Sequence, residues 1–193
     1  MTPCRLPTQE VCLRVPDTAP SAPSTAPLLV VFAGLPGAGK STLARLVAQG
    51  RDAVWLRVDT IEASMLKAGL PQSFETGLAA YIAARDVAGE HLRLGRNVVV
   101  DAVNGVEVAR EMWRTLATEC HAALSFVMVI CSDTDEHRRR VEARADPTPP
   151  LPSPTWAEVV KREFVAWDEP VVLIDSLAPP GENVARILNH LAR

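Results

Sequence analysis

Residues 34–42 read Gly34-Leu35-Pro36-Gly37-Ala38-Gly39-Lys40-Ser41-Thr42 and match the spacing G-x-x-x-x-G-K-[ST] without a gap. Glycines let successive backbone N–H groups point inward at phosphate oxygens, and the N-terminus of the next helix adds its positive dipole end. The lysine of such a P-loop reaches the β- and γ-phosphates, and its serine ligates Mg²⁺. The motif therefore predicts a triphosphate site made of Gly34, Gly37, Ala38, Gly39, Lys40, Ser41 and Thr42.

The flanking sequence supplies the structural context that this loop needs. Residues 28–33 form an unbroken apolar run, typical of a buried parallel strand. After the loop, Leu43, Leu46 and Val47 recur at helical spacing. Strand, loop and helix thus follow in the order that a phosphate-binding loop requires.

Composition predicts one α/β domain behind a proline-rich tail. The chain has 193 residues, of which 48% are hydrophobic, which is enough for one sizeable core. Residues 1–27 hold six of the sixteen prolines and are predicted to be an extended tail, which leaves residues 28–193 for the domain. The net charge of -3 argues against non-specific nucleic-acid binding, although a nucleic-acid end remains possible as a substrate.

Cysteine usage and hydropathy predict a cytoplasmic protein. The four cysteines show neither C-x-x-C spacing nor pairing with histidines, so no zinc site or disulfide framework is expected. The chain opens without a basic and then apolar leader, and no apolar run approaches 18 residues. Secretion and membrane spanning are therefore not predicted.

The rest of the chain alternates between apolar runs and helical patterns. Further strands are predicted at residues 53–58, 97–101, 123–131 and 171–174. Helices are predicted at residues 41–49, 60–67, 74–94, 106–118, 133–145, 155–167 and 181–192. This alternation predicts a doubly wound, five-stranded parallel sheet with helices on both faces.

Two aspartates end predicted strands beside the P-loop. Ligands of open α/β sheets bind at the carboxyl ends of the strands, so Asp59 should face the crevice, unless it only caps the helix at residues 60–67. Asp101 could order Mg²⁺ or bind substrate, whereas Asn104 could bind substrate or simply form a turn beside Gly105. Hydrolysis is not predicted, because Ala102 stands where hydrolysing motors carry a water-polarising glutamate.

The predicted helix at residues 74–94 places Arg85 within an apolar face, whose other members are Leu78, Tyr81, Ile82, Ala88 and Leu92. A charge on such a face is costly unless it is paired. Two alternatives follow. Arg85 either pairs with a carboxylate such as Glu62 or Asp86, or points into the substrate crevice with Tyr81.

A basic helix at residues 133–145 precedes the proline-rich break at residues 146–154. Its acids in the first turn and bases later also suit the helix dipole, so the charges could be purely structural. Arg140 and Arg144 lie one turn apart, so both can face one side and stabilise charge on a migrating γ-phosphoryl group. We expect this helix to begin a short arginine-bearing lid.

Residues 28–193 resemble the P-loop kinases of small molecules and nucleotides, and within them the chloramphenicol phosphotransferase and zeta-toxin type proteins. The resemblance rests on the P-loop, on residues 58–63, on Arg110 with Trp113, and on the residues from Arg140 to Arg144. It implies the strand order 2-3-1-4-5 and ATP with Mg²⁺ as cofactor. It also implies Asp59 as the catalytic base.

Residues 101–104 and the arginines of the lid are also similar to those of polynucleotide 5′-kinases. Three residues beyond the base aspartate, however, this chain has Glu62 where those enzymes carry an arginine for substrate phosphate. We therefore expect a kinase that phosphorylates a hydroxyl of an antibiotic-, sugar- or nucleoside-like small molecule. The catalytic residues would be Asp59, Lys40, Arg140 and Arg144, the substrate residues Asp59, Tyr81, Arg85, Asp101 and Asn104, and the metal ligands Ser41 and Asp101.

Two other functions stay open from the sequence. One is a polynucleotide 5′-hydroxyl kinase. The other is a non-catalytic regulator that only senses ATP, against which the carboxylate at the acceptor position argues.

Overall fold

The computed structural model describes residues 26–143 and 151–192. Its five-stranded sheet is parallel throughout and has the order β2-β3-β1-β4-β5, as the resemblance implied. The strands are β1 (Leu28–Ala33), β2 (Val54–Arg57), β3 (Val98–Asp101), β4 (Ala123–Ile130) and β5 (Val172–Asp175). Each lies within a residue or two of its predicted position.

Seven helices are described, and they cover both faces of the sheet. They are α1 (Lys40–Gly50), α2 (Val58–Lys67), α3 (Phe74–Arg93), α4 (Glu107–Glu119), α5 (Thr134–Ala143), α6 (Trp156–Lys161) and α7 (Pro180–His190). None of these helices is long and apolar enough to cross a bilayer.

The apolar core lies on both faces of the central strand. Leu29 and Val31 of β1 pack in the layer under α3 and α4, and Val30 and Phe32 pack in the layer under α1 and α7. Residues 29–33 are all almost fully buried, which is why the sequence shows no polar alternation there. The doubly wound fold is thereby confirmed.

The buried face of α3 differs from the predicted one. Its core residues are Ala80, Ala84 and Ala88, whereas Leu78 and Ile82 are each 46% exposed. Small side chains let α3 approach α2 and the sheet closely. The predicted apolar face is therefore correct for Ala88 and Leu92, which are buried, and wrong for Leu78 and Ile82.

The predicted helix at residues 155–167 is also too long. Its start is correct, because Thr155 and Glu158 form a reciprocal capping box, but α6 ends at Lys161. Beyond it the backbone bonds to another part of the fold, because the Val165 N–H donates to the carbonyl of Gly105 at 2.8 Å. Residues 162–167, called the strap below, thus replace the last turns of the expected helix.

Two predicted features lie outside the described residues. They are almost all of the tail at residues 1–27, and Arg144 with most of the proline-rich break.

Candidate active site

The P-loop connects the buried end of β1 to the first turn of α1. Gly34 has φ 138°, and a Cβ there would lie 2.2 Å from the carbonyl oxygen of Val129. Gly37 has φ 82°, and a Cβ there would lie 2.5 Å from a methyl group of Val141. Both positions need glycine, because the backbone is in the left-handed region and a neighbouring element closes on it.

Lys40 and Ser41 open helix α1 at the floor of a cavity of about 520 Å³. The side chain of Lys40 is only 8% exposed, and its ammonium donates a 2.9 Å hydrogen bond to the carbonyl of Leu35. Gly37, Gly39 and Thr42 also line this cavity. Five of the seven predicted triphosphate residues therefore line one space, whereas Gly34 and Ala38 are not part of its lining.

Asp101 ends β3 beside the P-loop, in register with Phe32 of β1 and Arg57 of β2. It is 3% exposed and accepts a hydrogen bond from the Ser41 side chain. Its Oδ2 has no hydrogen-bond partner within the described part of the chain. Burial raises the pKa of Asp101, although the nearby Lys40 charge and the Ser41 hydrogen bond act in the opposite direction.

A buried carboxylate oxygen without a hydrogen-bond partner, next to a serine hydroxyl, fits Mg²⁺, which prefers oxygen ligands. Ser41 and Asp101 are the residues that would hold the ion, directly or through water.

Asp59 lies in the first turn of α2, and its side chain is 46% exposed. Arg57 links it to Asp101: its Nη2 is 3.6 Å from an Asp59 oxygen, and its Nε is 3.9 Å from Oδ2 of Asp101. The capping alternative for Asp59 is wrong. The N-cap position is Arg57, no side chain caps the helix, and Asp59 is already helical.

Tyr81 of α3 reaches the same end of the sheet. Its hydroxyl lies 3.3 Å from the backbone nitrogen of Asn104, and burial is the main cause that raises its pKa to about 12. Tyr81 is therefore neutral across the physiological range and can act there only as a hydrogen-bonding group.

Asn104 holds the turn after β3 in place. It is fully buried with φ 47°, and its amide donates to the carbonyl of Phe32 at 2.8 Å. Its Oδ1 accepts from the Trp113 indole at 2.9 Å. These contacts match the turn alternative, so we leave Asn104 out of the proposed substrate site.

Arg110 stabilises the strap that follows α6. Its guanidinium is buried and donates to the carbonyls of Asn104, Val165 and Ala166 at 3.1, 2.6 and 3.0 Å. It also lies 3.9 Å from the centre of the Trp167 ring. The element made of Arg110 and Trp113, on which the resemblance partly rests, thus fixes the loops around the site.

Arg85 takes the structural alternative. It pairs with Asp86 at 3.1 Å and with Glu119, at the end of α4, at 2.5 Å. Since α4 starts after the carboxyl end of β3 and runs back to the start of β4, Glu119 lies at the opposite end of the strands from the P-loop, and Arg85 is turned away from the crevice. The prediction that Arg85 contacts substrate is therefore wrong.

Arg140 of α5 lines the P-loop cavity. Its Nη1 donates to the hydroxyl of Ser176 at 2.7 Å, and its Nε donates to Glu136 at 2.7 Å. Arg139 also lines the cavity and pairs with Glu136 at 2.6 Å.

Sequence reasoning missed Ser176 and Asn183, which line the cavity from the loop after β5 and from α7. The only available signal was that Ser176 follows the carboxyl end of a predicted strand. A second cavity, of about 780 Å³, lies between β5 and the outer side of α7 and contains no P-loop residue.

Fold and site together define a P-loop nucleotide-binding protein. The family model AAA_33, described as an AAA domain, matches residues 29–163, and the chain belongs to that family. A search of the curated proteins gave no match.

Solved structures share the fold at low identity. A putative kinase from Chloroflexus aurantiacus is 20% identical, covers 88% of this chain and 98% of its own, and has a TM-score of 0.72. The APS kinase CysC of Mycobacterium tuberculosis, solved with AMPPNP and APS, is 19% identical, with coverages of 87% and 99% and a TM-score of 0.69. A gluconokinase from Sinorhizobium meliloti is 22% identical, with coverages of 87% and 93% and a TM-score of 0.63.

Proposed function

We propose that the protein is an ATP-dependent kinase that transfers the γ-phosphoryl group to a hydroxyl of a small molecule. The observation that carries this proposal is the position of Asp59. Its half-exposed carboxylate contacts the guanidinium of Arg57, which also contacts the buried Asp101. Asp101 in turn accepts a hydrogen bond from Ser41 of the P-loop. A base in this position can meet a hydroxyl that enters from the α2 side of the crevice.

In this mechanism Asp59 accepts the proton of the acceptor hydroxyl as the oxygen attacks the γ-phosphorus. The bond to the acceptor oxygen forms while the bond to the bridging oxygen breaks, and ADP leaves with that electron pair. Mg²⁺, when bound through Ser41 and Asp101, neutralises charge on the phosphates. Lys40 and Arg140 offset the charge that develops on the transferred group.

Arg57 has a positioning role in this proposal. It is the last residue of β2, so the sheet fixes its backbone, and its guanidinium lies between the two carboxylates. One cation shared by two acids offsets the repulsion between them and fixes their relative positions. Asp59 can then face the acceptor while Asp101 faces the metal site.

The acceptor side of the crevice is polar. Glu62 of α2 is partly buried, and burial together with the Asp59 charge raises its pKa, against the influence of Arg162 at the end of α6. Tyr81 adds a neutral hydroxyl. A small polyhydroxylated acceptor suits this mixture of hydrogen-bonding groups better than a polyanion does. The kinases among the similar structures, which include an APS kinase and a gluconokinase, support a small-molecule acceptor.

The test is a panel of hydroxyl compounds incubated with Mg²⁺ and ATP labelled in the γ-phosphoryl group. We expect ADP to accumulate only with an acceptor and the label to appear in the product by mass spectrometry. ADP that forms equally fast without acceptor would identify a hydrolase instead. ATP binding without turnover on any compound would favour a nucleotide sensor.

A further inference from the structure

His137 lies on α5 one turn before Val141, and it faces the P-loop rather than the solvent. It is 7% exposed, and the mechanism above gives it no task. Its Nε2 lies 2.8 Å from the carbonyl oxygen of Pro36, in the middle of the P-loop. A carbonyl can only accept, so Nε2 is the donor in this hydrogen bond.

The geometry of the peptide group gives this contact a consequence. A trans peptide is planar, and its C=O and N–H point in opposite directions. The Pro36 carbonyl shares its peptide group with the N–H of Gly37. Because His137 holds that carbonyl, the Gly37 N–H points away from the imidazole, and Gly37 itself lines the phosphate cavity.

One packing contact holds the imidazole in position, and a second holds helix α5 against the P-loop. Its ring meets the edge of the Trp156 ring at a centroid distance of 5.2 Å and an interplanar angle of 78°. Val141, on the same side of α5, packs so close to Gly37 that a Cβ there would be 2.5 Å from its methyl group. The lid helix therefore rests on the central peptide of the P-loop.

We propose that His137 is a positioning residue that orients the Pro36–Gly37 peptide, so that the Gly37 N–H donates to bound phosphate. The same hydrogen bond couples the lid helix, which carries Arg140, to the conformation of the P-loop. This inference rests on the triphosphate site of the proposed function, but not on the identity of the acceptor.

Three variants separate the hydrogen bond from the packing. His137→Gln keeps an amide nitrogen donor close to the place of Nε2, whereas His137→Phe keeps an aromatic ring against Trp156 and loses the donor. His190→Phe, at an exposed histidine in α7, is the matched control. Affinity for Mg-ATP is measured by calorimetry, stability by urea unfolding, and the Gly37 amide by its NMR shift on ATP addition.

We expect His137→Phe to bind Mg-ATP at least 10-fold more weakly than the parent and to lose the ATP-induced shift of the Gly37 amide. His137→Gln should stay within about 3-fold of the parent and keep the shift, and the control should be unchanged. Parental ATP affinity in a folded His137→Phe variant would overturn the inference. Equal losses in the Gln and Phe variants would also overturn it, because packing and not the donor would then matter. Failure of the parent itself to bind ATP would instead contradict the proposed function.

Discussion

The guanidinium of Arg140 donates to the hydroxyl of Ser176, 36 positions along the chain, across the mouth of the P-loop cavity. Glu136 holds the other side of the same guanidinium at 2.7 Å. Hydrogen bonds from Arg139 and Arg140 lower the pKa of Glu136 to about 2, so this cluster stays ionised at physiological pH. Ser176 and Glu136 thereby fix the position of Arg140 beside the cavity.

Arg140→Ala should lower kcat about 10²-fold or more and change ATP affinity less, because charge on the transferred group is greatest in the transition state. The neighbouring Arg139→Ala, at a side chain that is 67% exposed, serves as control and should have a smaller effect. Steady-state kinetics with ATP as the varied substrate separates the two parameters. Equal losses in kcat and ATP affinity would make Arg140 a ground-state phosphate ligand.

Lys40→Ala should abolish turnover and weaken ATP binding, because the lysine lies at the floor of the phosphate cavity. Lys67→Ala, on the exposed end of α2, provides a matched loss of one positive charge. Calorimetry with Mg-ATP measures the difference, and circular dichroism checks that both variants fold. Unchanged ATP affinity in Lys40→Ala would contradict the site.

Asp101→Asn should make the protein more stable at neutral pH while reducing activity about 10²-fold or more. Burial raises the pKa of Asp101 in the fold above its ordinary value, so the folded state binds that proton more tightly than the unfolded state does. The parent therefore loses stability as the pH rises from the ordinary toward the raised pKa, and the variant does not. Urea unfolding from pH 4 to pH 8 measures this. A stability advantage of Asp101→Asn that grows toward acid pH would contradict this prediction.

Arg110→Lys should destabilise the fold by about 3 kcal/mol, since one ammonium cannot replace a buried guanidinium that donates to three backbone carbonyls. Arg93→Lys, in an exposed pair with Glu90, should change the free energy of unfolding by less than about 0.5 kcal/mol. Urea unfolding compares the two variants. A well-folded Arg110→Lys variant of parental stability would show that the strap after α6 is held by other contacts.

Local pattern was enough to predict the sheet and the P-loop. The apolar run at residues 28–33 predicts β1, and the glycine spacing after it predicts the P-loop. Both signals lie within short, contiguous stretches of the sequence. Asp59 and Asp101 followed from the rule that ligands bind at the carboxyl ends of strands.

The remaining site depended on contacts distant in sequence. Arg85 had several possible partners, and the sequence did not reveal that Glu119, 34 residues away, is the one that turns it from the crevice. The end of α6 depends on Arg110, whose guanidinium donates to the carbonyls of Val165 and Ala166, 55 and 56 residues away. Ser176 and His137 meet the P-loop region only through the tertiary fold, so helical periodicity gave no signal for them.

The proposed phosphoryl transfer depends most directly on Asp59, and Asp59→Asn isolates the chemistry of its carboxylate. The side chain makes no capping hydrogen bond, so the variant loses a favourable charge near the helix N-terminus, about 0.3–1 kcal/mol, and the charge of the 3.6 Å ion pair with Arg57, which is partly exposed to solvent. It should fold and bind Mg-ATP like the parent.

The decisive measurement is the single-turnover rate of acceptor phosphorylation by Asp59→Asn, with parent protein and a folded Asp86→Asn control at saturating Mg-ATP. We predict that Asp59→Asn loses about 10²-fold or more in this rate while the control keeps the parental rate. A folded, ATP-bound Asp59→Asn variant that phosphorylates its acceptor at the parental rate would contradict the proposed mechanism.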